Sequence, residues 1–192
     1  MAELPLTYVF EPGRVPERGF GYASCVGGRR FAVAHQTPGT TVTGQTSYAA
    51  TTPTFLISQA GAAHRAVLSN FALCQAGTPA VDLIHIALVL DPTNRYASGG
   101  TSITPQSTAS PSRESAGFSF RYNPTASSPG GGSDAPRLLY HWTQPVWPGS
   151  VFNPDLQDGV LIGFTGSILV YTWAATQAPT WIIGGFDVAE DE

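Results

Sequence analysis

A chain of 192 residues has room for one full hydrophobic core and is short for two ordinary domains. Hydrophobic residues make up 42% and charged residues only 11%, against about 25% charged in an ordinary soluble domain. All nine basic residues are scattered arginines against thirteen acids, for a net charge of −4, which excludes a basic nucleic-acid footprint; with no lysine there is also no P-loop.

Residues 1–30 stand apart as an N-terminal arm or extension. They carry Arg14, Arg18, Arg29 and Arg30 with Tyr8, Phe10, Phe20 and Tyr22 and little periodicity. Either an arm lying on another surface or an extension packed on its own domain has this composition. The opening "MAELPLTYVFEPGR" has no basic segment followed by an apolar one, so no signal peptide is expected. Residues 31–192 read as one domain. The stretch 36–54, rich in Thr, Gly and Pro, suits short strands and turns.

From Phe55 the segments become strand-like. "FLISQ" (55–59) is followed by "RAVLSNFALCQ" (65–75), which alternates Val67, Ser69, Phe71 and Leu73 on one side with Leu68, Asn70, Ala72 and Cys74 on the other. Ala63, Val67, Phe71 and Cys74 also align on a helical face, so this segment is the most ambiguous. In "VDLIHIALVLDP" (81–92), Ile84, Ile86, Leu88 and Leu90 share one strand face and His85, Ala87 and Val89 the other. Both faces are apolar, as in a strand covered on each side.

Residues 92–117 read as a long polar loop, 118–122 as a strand, and 123–136, with three consecutive glycines, as a second long loop. "RLLYHWTQPVW" (137–147) is a strand broken at Pro145. "GVLIGF" (159–164), "SILVYTWAA" (167–175) and "TWIIGGFDV" (180–188) follow, with a hairpin-like "TG" between the first two and "TQAP" before the last. Eight or nine short, turn-separated strands without a clear helix predict an all-β protein: a jelly-roll or Greek-key β-sandwich with long loops.

Motifs for catalysis are sparse. No G-x-S-x-G nucleophile elbow occurs. Cys25 and His35 would make a nucleophile pair only if the fold joined them. The two cysteines, Cys25 and Cys74, match no metal spacing and are either free or one long-range disulfide. A cupin-type metal site needs two histidines two positions apart on one strand plus further ligands. Here His35, His64, His85 and His141 are all more than twenty residues apart. His85 and His141 could face each other across a sheet, but two ligands do not make a zinc site. His85 therefore reads as a satisfied core or interface histidine, and no metal, cofactor or catalytic residue is expected. "NPDLQDG" (153–159) misses the alternate-position pattern of a calcium loop and reads as a turn. Tyr140, Trp142, Trp147 and Trp173 are candidate aromatics for a glycan platform or a subunit interface. The longest apolar runs fall short of the roughly 18 residues of a membrane span.

The order "TTPTFLISQ", "AHRAVLSNFALCQAGTPAVDLIHIALVLDP", a long Ser/Thr/Pro loop, then "DGVLIGFTGSILVYTWAATQAPTWIIGGFDVAEDE" resembles a type of bacteriophage virion protein with a jelly-roll fold, over about residues 50–190. In that type a closing hairpin precedes a last strand that runs into acidic residues. The resemblance implies a homotrimer that decorates the exterior of a tailed-phage capsid as a cement protein. Its partners would be itself and the major capsid protein, with no nucleic acid or membrane. It would be made in the host cytoplasm and would reside on the capsid surface; it would not be an enzyme. No functional residue carries over from the resemblance; an arm that orders on a neighbouring surface would add affinity, and within residues 1–30 Tyr8, Phe10, Arg14 and Arg18 are its expected capsid contacts. The alternative is a fibre or spike head that binds a host glycan through its long loops and aromatics.

Overall fold

The computed structural model describes residues 28–59, 63–77, 83–109, 115–145, 147–157 and 159–190. In chain order the strands are β1 (Arg30–Val33), β2 (Thr41–Thr43), β3 (Phe55–Ser58), β4 (Ala66–Ala76), β5 (Ile84–Asp91), β6 (Tyr96–Ile103) and β7 (Gln106–Ser107). They continue with β8 (Ser119–Ala126), β9 (Arg137–Gln144), β10 (Val151–Phe152), β11 (Val160–Ile162), β12 (Ser167–Trp173) and β13 (Thr180–Glu190). One sheet runs β10-β4-β13-β1-β7, with β11 also on β4 and β2 also on β13; the other runs β6-β8-β3-β12-β5-β9.

The pairing follows one rule. β1 and β2 pair with β13, β3 with β12, β4 with β10 and β11, and β5 with β9, all antiparallel, so first strands meet last strands and the chain works inward. That is a single long hairpin. It is rolled so that β13 also lies on β4 and β12 on β5, which is the connectivity of a jelly roll. The insertion β6–β8 widens the roll on one side, β8 extending the sheet beyond β3 and β7 extending the other beyond β1.

Alternation fills the space between the sheets. Ile84, Ile86 and Leu88 of β5, Ile168 and Val170 of β12, and Phe71, Leu73, Trp181, Phe186 and Val188 of the facing sheet are buried in one core. Phe186 sits centrally, stacked on Phe71 at 5.3 Å and within 4.7 Å of the Phe120 ring centroid. Burial of each such ring contributes about 1.5–3 kcal/mol. Among the polar atoms admitted here, Trp181 Nε1 donates to Thr172 Oγ1 at 2.9 Å, which in turn lies 2.9 Å from Thr54 Oγ1.

Four expectations need correction. The strict alternation over 65–75 fails because β4 bulges: Asp187 pairs with Asn70 and Val188 with Leu68, leaving Ser69 over, so Leu68 turns inward with Phe71 and Leu73. The polar loop over 92–117 contains β6 and β7. β6 is an edge strand exposed over Ala97–Ser102, so it carries no apolar period and takes its order from backbone bonds to β8. The loop expected at 123–136 begins later, because β8 continues through Pro124 to Ala126. There is no closing hairpin either. β11 lies on β4, β12 in the opposite sheet and β13 back beside β4, so both turns step between sheets.

Candidate functional site

The outer face of the six-stranded sheet is apolar as well. His85, Ala87 and Val89 of β5 point away from the core, as do Leu169, Tyr171 and Trp173 of β12 and Leu56 of β3. Most of this second layer is buried. Leu56, Ala87, Val89, Leu169 and Tyr171 form a cluster with Ala126, flanked by Tyr96 and Trp173. Part of the cover is the β2–β3 connection, whose Tyr48 ring lies 5.0 Å from that of Tyr171 and 5.5 Å from that of Trp173.

A buried ion pair anchors this cover. Arg95 and Asp91 are nearly fully buried and joined at 2.9 Å. The remaining guanidinium donors go to Ser127 O at 2.7 Å and Ala50 O at 3.2 Å, tying three separate connections together. Asp91 Oδ1 accepts from Thr93 N and Oγ1, so the whole knot is hydrogen-bonded. The Tyr171 hydroxyl donates to Ala50 O at 2.8 Å. Burial holds its pKa well above the usual phenol range, with the nearby Tyr48 phenol adding to the rise and Arg95 opposing it.

Toward β9 the cover ends and imidazoles take its place. The register sets Trp173 opposite His85 and Ala87 opposite His141, so the two histidines are diagonal neighbours on adjacent strands. His85 Nδ1 and His141 Nε2 are 3.2 Å apart. Both rings lie near-parallel to the Trp173 indole, at centroid distances of 5.0 and 5.5 Å and interplanar angles of 11° and 9°. His141 is exposed and His85 half-buried. Leu138, 62% exposed, follows on the same face beside Val89. The face therefore offers flat π surfaces and imidazole nitrogens, suited to stacking, hydrogen bonding and ligation.

The expected aromatics do not form one platform. Tyr140 and Trp142 stack on each other at 5.0 Å but face inward, Trp142 packing against Phe71 and Phe152. Trp147 is exposed in the β9–β10 connection, its backbone N–H bonded to Gln75 Oε1 at 3.0 Å. Only Trp173 joins the outer face. Tyr8, Phe10, Arg14, Arg18 and Cys25 lie outside the described residues. His35 is engaged locally, its Nδ1 accepting from Thr37 N at 3.1 Å, and Cys74 is a free thiol. Asp155 caps its own turn by accepting from Gln157 N at 2.8 Å. His85 has a ring partner in His141 and sits on the outer face, not in the core. Tyr48 and the Asp91–Arg95 knot escaped the sequence reading; the spacing in "DPTNR", an Asp turn with Arg four positions on, was the available signal.

Among the described residues, no group of three or more His, Cys, Asp or Glu side chains converges, and no helix is long and apolar enough to cross a membrane. Fold and face together define a jelly-roll β-sandwich protein with an aromatic, histidine-bearing outer surface. No family model, curated protein or solved structure matches the chain.

Proposed function

We propose that the chain is a structural virion protein, a trimeric decoration protein that binds and stabilises the exterior of a tailed-phage capsid. The observation that supports it best is the difference between the two edges of the six-stranded sheet. The β6 edge is polar and blunted, with Ser98, Gly99, Gly100, Thr101 and Ser102 exposed. The β9 edge exposes Leu138 and Leu139, beside the polar Arg137, His141 and Thr143, on a strand that no described strand pairs on its far side. An open edge that exposes leucine is a template for association, which monomers normally cover with charge, proline or a loop. The low charge of the chain fits a block that clamps neighbours by area and shape.

Light scattering on a sizing column tests the first half of the proposal. The expected mass is three times 20.2 kDa. Co-sedimentation with phage capsids stripped of decoration tests the second, and a monomer that leaves such capsids unbound sinks the reading. Capsid binding lost on replacing Tyr8, Phe10, Arg14 and Arg18 together, with the trimer intact, would assign those residues to the contact. A fibre or spike head that binds glycan is the second reading, favoured by the Tyr48–Trp173 surface; it requires glycan-array binding that disappears in Trp173→Ala.

A further inference from the structure

We propose that His85 and His141 form a two-histidine binding site for a late first-row divalent cation such as Cu2+, Ni2+ or Zn2+. The geometry carries it. Metal–imidazole bonds of about 2.0–2.1 Å at a tetrahedral angle place two ligand nitrogens about 3.3–3.4 Å apart. His85 Nδ1 and His141 Nε2 already stand 3.2 Å apart on neighbouring strands. Fixed strands hold that spacing, because Ala87 pairs with His141 in a continuous ladder from Ile84 to Leu88. The Trp173 indole lies near-parallel to both rings, so it reports on a change at either.

In the metal-free pair one imidazole N–H donates to the other ring's lone pair. Binding needs both lone pairs turned to one point by rotation about each Cβ–Cγ bond. The bridging proton moves to the distal nitrogen of its own ring, His85 Nε2 or His141 Nδ1, so each neutral imidazole still carries one proton and none is lost from the pair. Neutral imidazole suits Cu2+, Ni2+ and Zn2+, whereas Mg2+ and Ca2+ prefer oxygen. Among the described residues no third His, Cys, Asp or Glu completes the set, so water fills the other positions. The cation is therefore reached from solvent on the exposed His141 side.

The experiment uses the full chain, freed of metal by chelator and titrated with Cu2+ alone in a non-coordinating buffer, followed by calorimetry and tryptophan fluorescence. Saturable one-to-one binding with quenching is expected, reversed by chelator and absent with Mg2+. His141→Ala should weaken it by at least about tenfold, since even changes beyond the first ligand shell cost that much at metal sites. Trp173→Phe should keep the binding heat and lose much of the quenching, and His35→Ala should change neither. His141→Asn, checked for an unchanged urea midpoint, guards against misfolding of the alanine variant. Binding that survives both His141 variants, or the absence of a saturable site, overturns the proposal.

Discussion

Asp91 and Arg95 illustrate how much can rest on two side chains. Both are removed from water, and every guanidinium nitrogen finds an acceptor on Asp91, Ser127 or Ala50. Removing one partner leaves the other charge buried and uncompensated. Asp91→Ala is expected to cost about 3–5 kcal/mol, read from the urea midpoint, while Asp91→Leu with Arg95→Met should recover most of that loss. Glu190 acts in the opposite sense. It is buried, and burial raises its pKa above 4.5, although the Gly117 N–H at 2.6 Å and the nearby His64 and Arg29 oppose the rise. The folded state therefore holds the proton more tightly than the unfolded chain. Above 4.5 stability falls as pH rises through the raised value, and it is fully restored only below 4.5. Glu190→Gln should flatten that slope in denaturation measured across pH and raise stability at neutral pH. A carboxylate that stabilised the fold would give the reverse.

At the scale of elements, the two edges of one sheet were not equally legible. β5 and β12 are readable as apolar runs covered on both faces, and β9 from its half-buried alternate side, because each has neighbours that reward it. β6 has no buried side over Ala97–Ser102, so its residues carry no pattern and its two glycines look like loop. Their conformation explains them: Gly99 and Gly100 have φ of 67° and 71°, and a Cβ on Gly100 would stand 2.8 Å from Pro124 and Tyr122 backbone atoms. Gly100→Ala should detach β6 from β8, seen as faster amide exchange over Tyr96–Ile103, with a loss above about 1 kcal/mol. The bulge at Ser69 hid in the same way, since one extra residue exchanges the faces of everything beyond it. The site was half visible. Alternation put His85 on the face opposite Ile84, Ile86 and Leu88 without saying which face is outer, and its nearness to His141 depends on β5 and β9 being neighbours across a long insertion. Leu138, readable as strand but not as edge, supports a further expectation: Leu138→Glu should lower the solution mass without moving the urea midpoint by more than about 0.5 kcal/mol, as for exposed substitutions generally.

At the scale of the whole molecule, the roll ties its ends together. β1 and β13 pair Arg30 with Ala189, and the Arg30 guanidinium bonds the Asp187 carboxylate, side chains 157 positions apart. The six-stranded sheet carries a small second cluster on its outer face, but the main core is shared. The residues between the sheets come from β1, β2, β3, β4, β5, β6, β8, β11, β12 and β13 and form one buried cluster. Loss of either sheet therefore exposes the apolar face of the other, and the two should unfold together. Trp181, fully buried, reports the core, whereas far-UV circular dichroism reports both sheets. Their urea transitions are expected to coincide, and two separated midpoints would show that the sheets are independent units. Because closure requires pairing between distant segments before much apolar surface is hidden, refolding should be slow for this size, on the order of milliseconds to seconds. Tryptophan fluorescence in stopped flow, with Trp142, Trp147 and Trp173 replaced by Phe so that Trp181 alone reports, measures it, and a microsecond phase carrying the full amplitude would contradict a roll closed by β13.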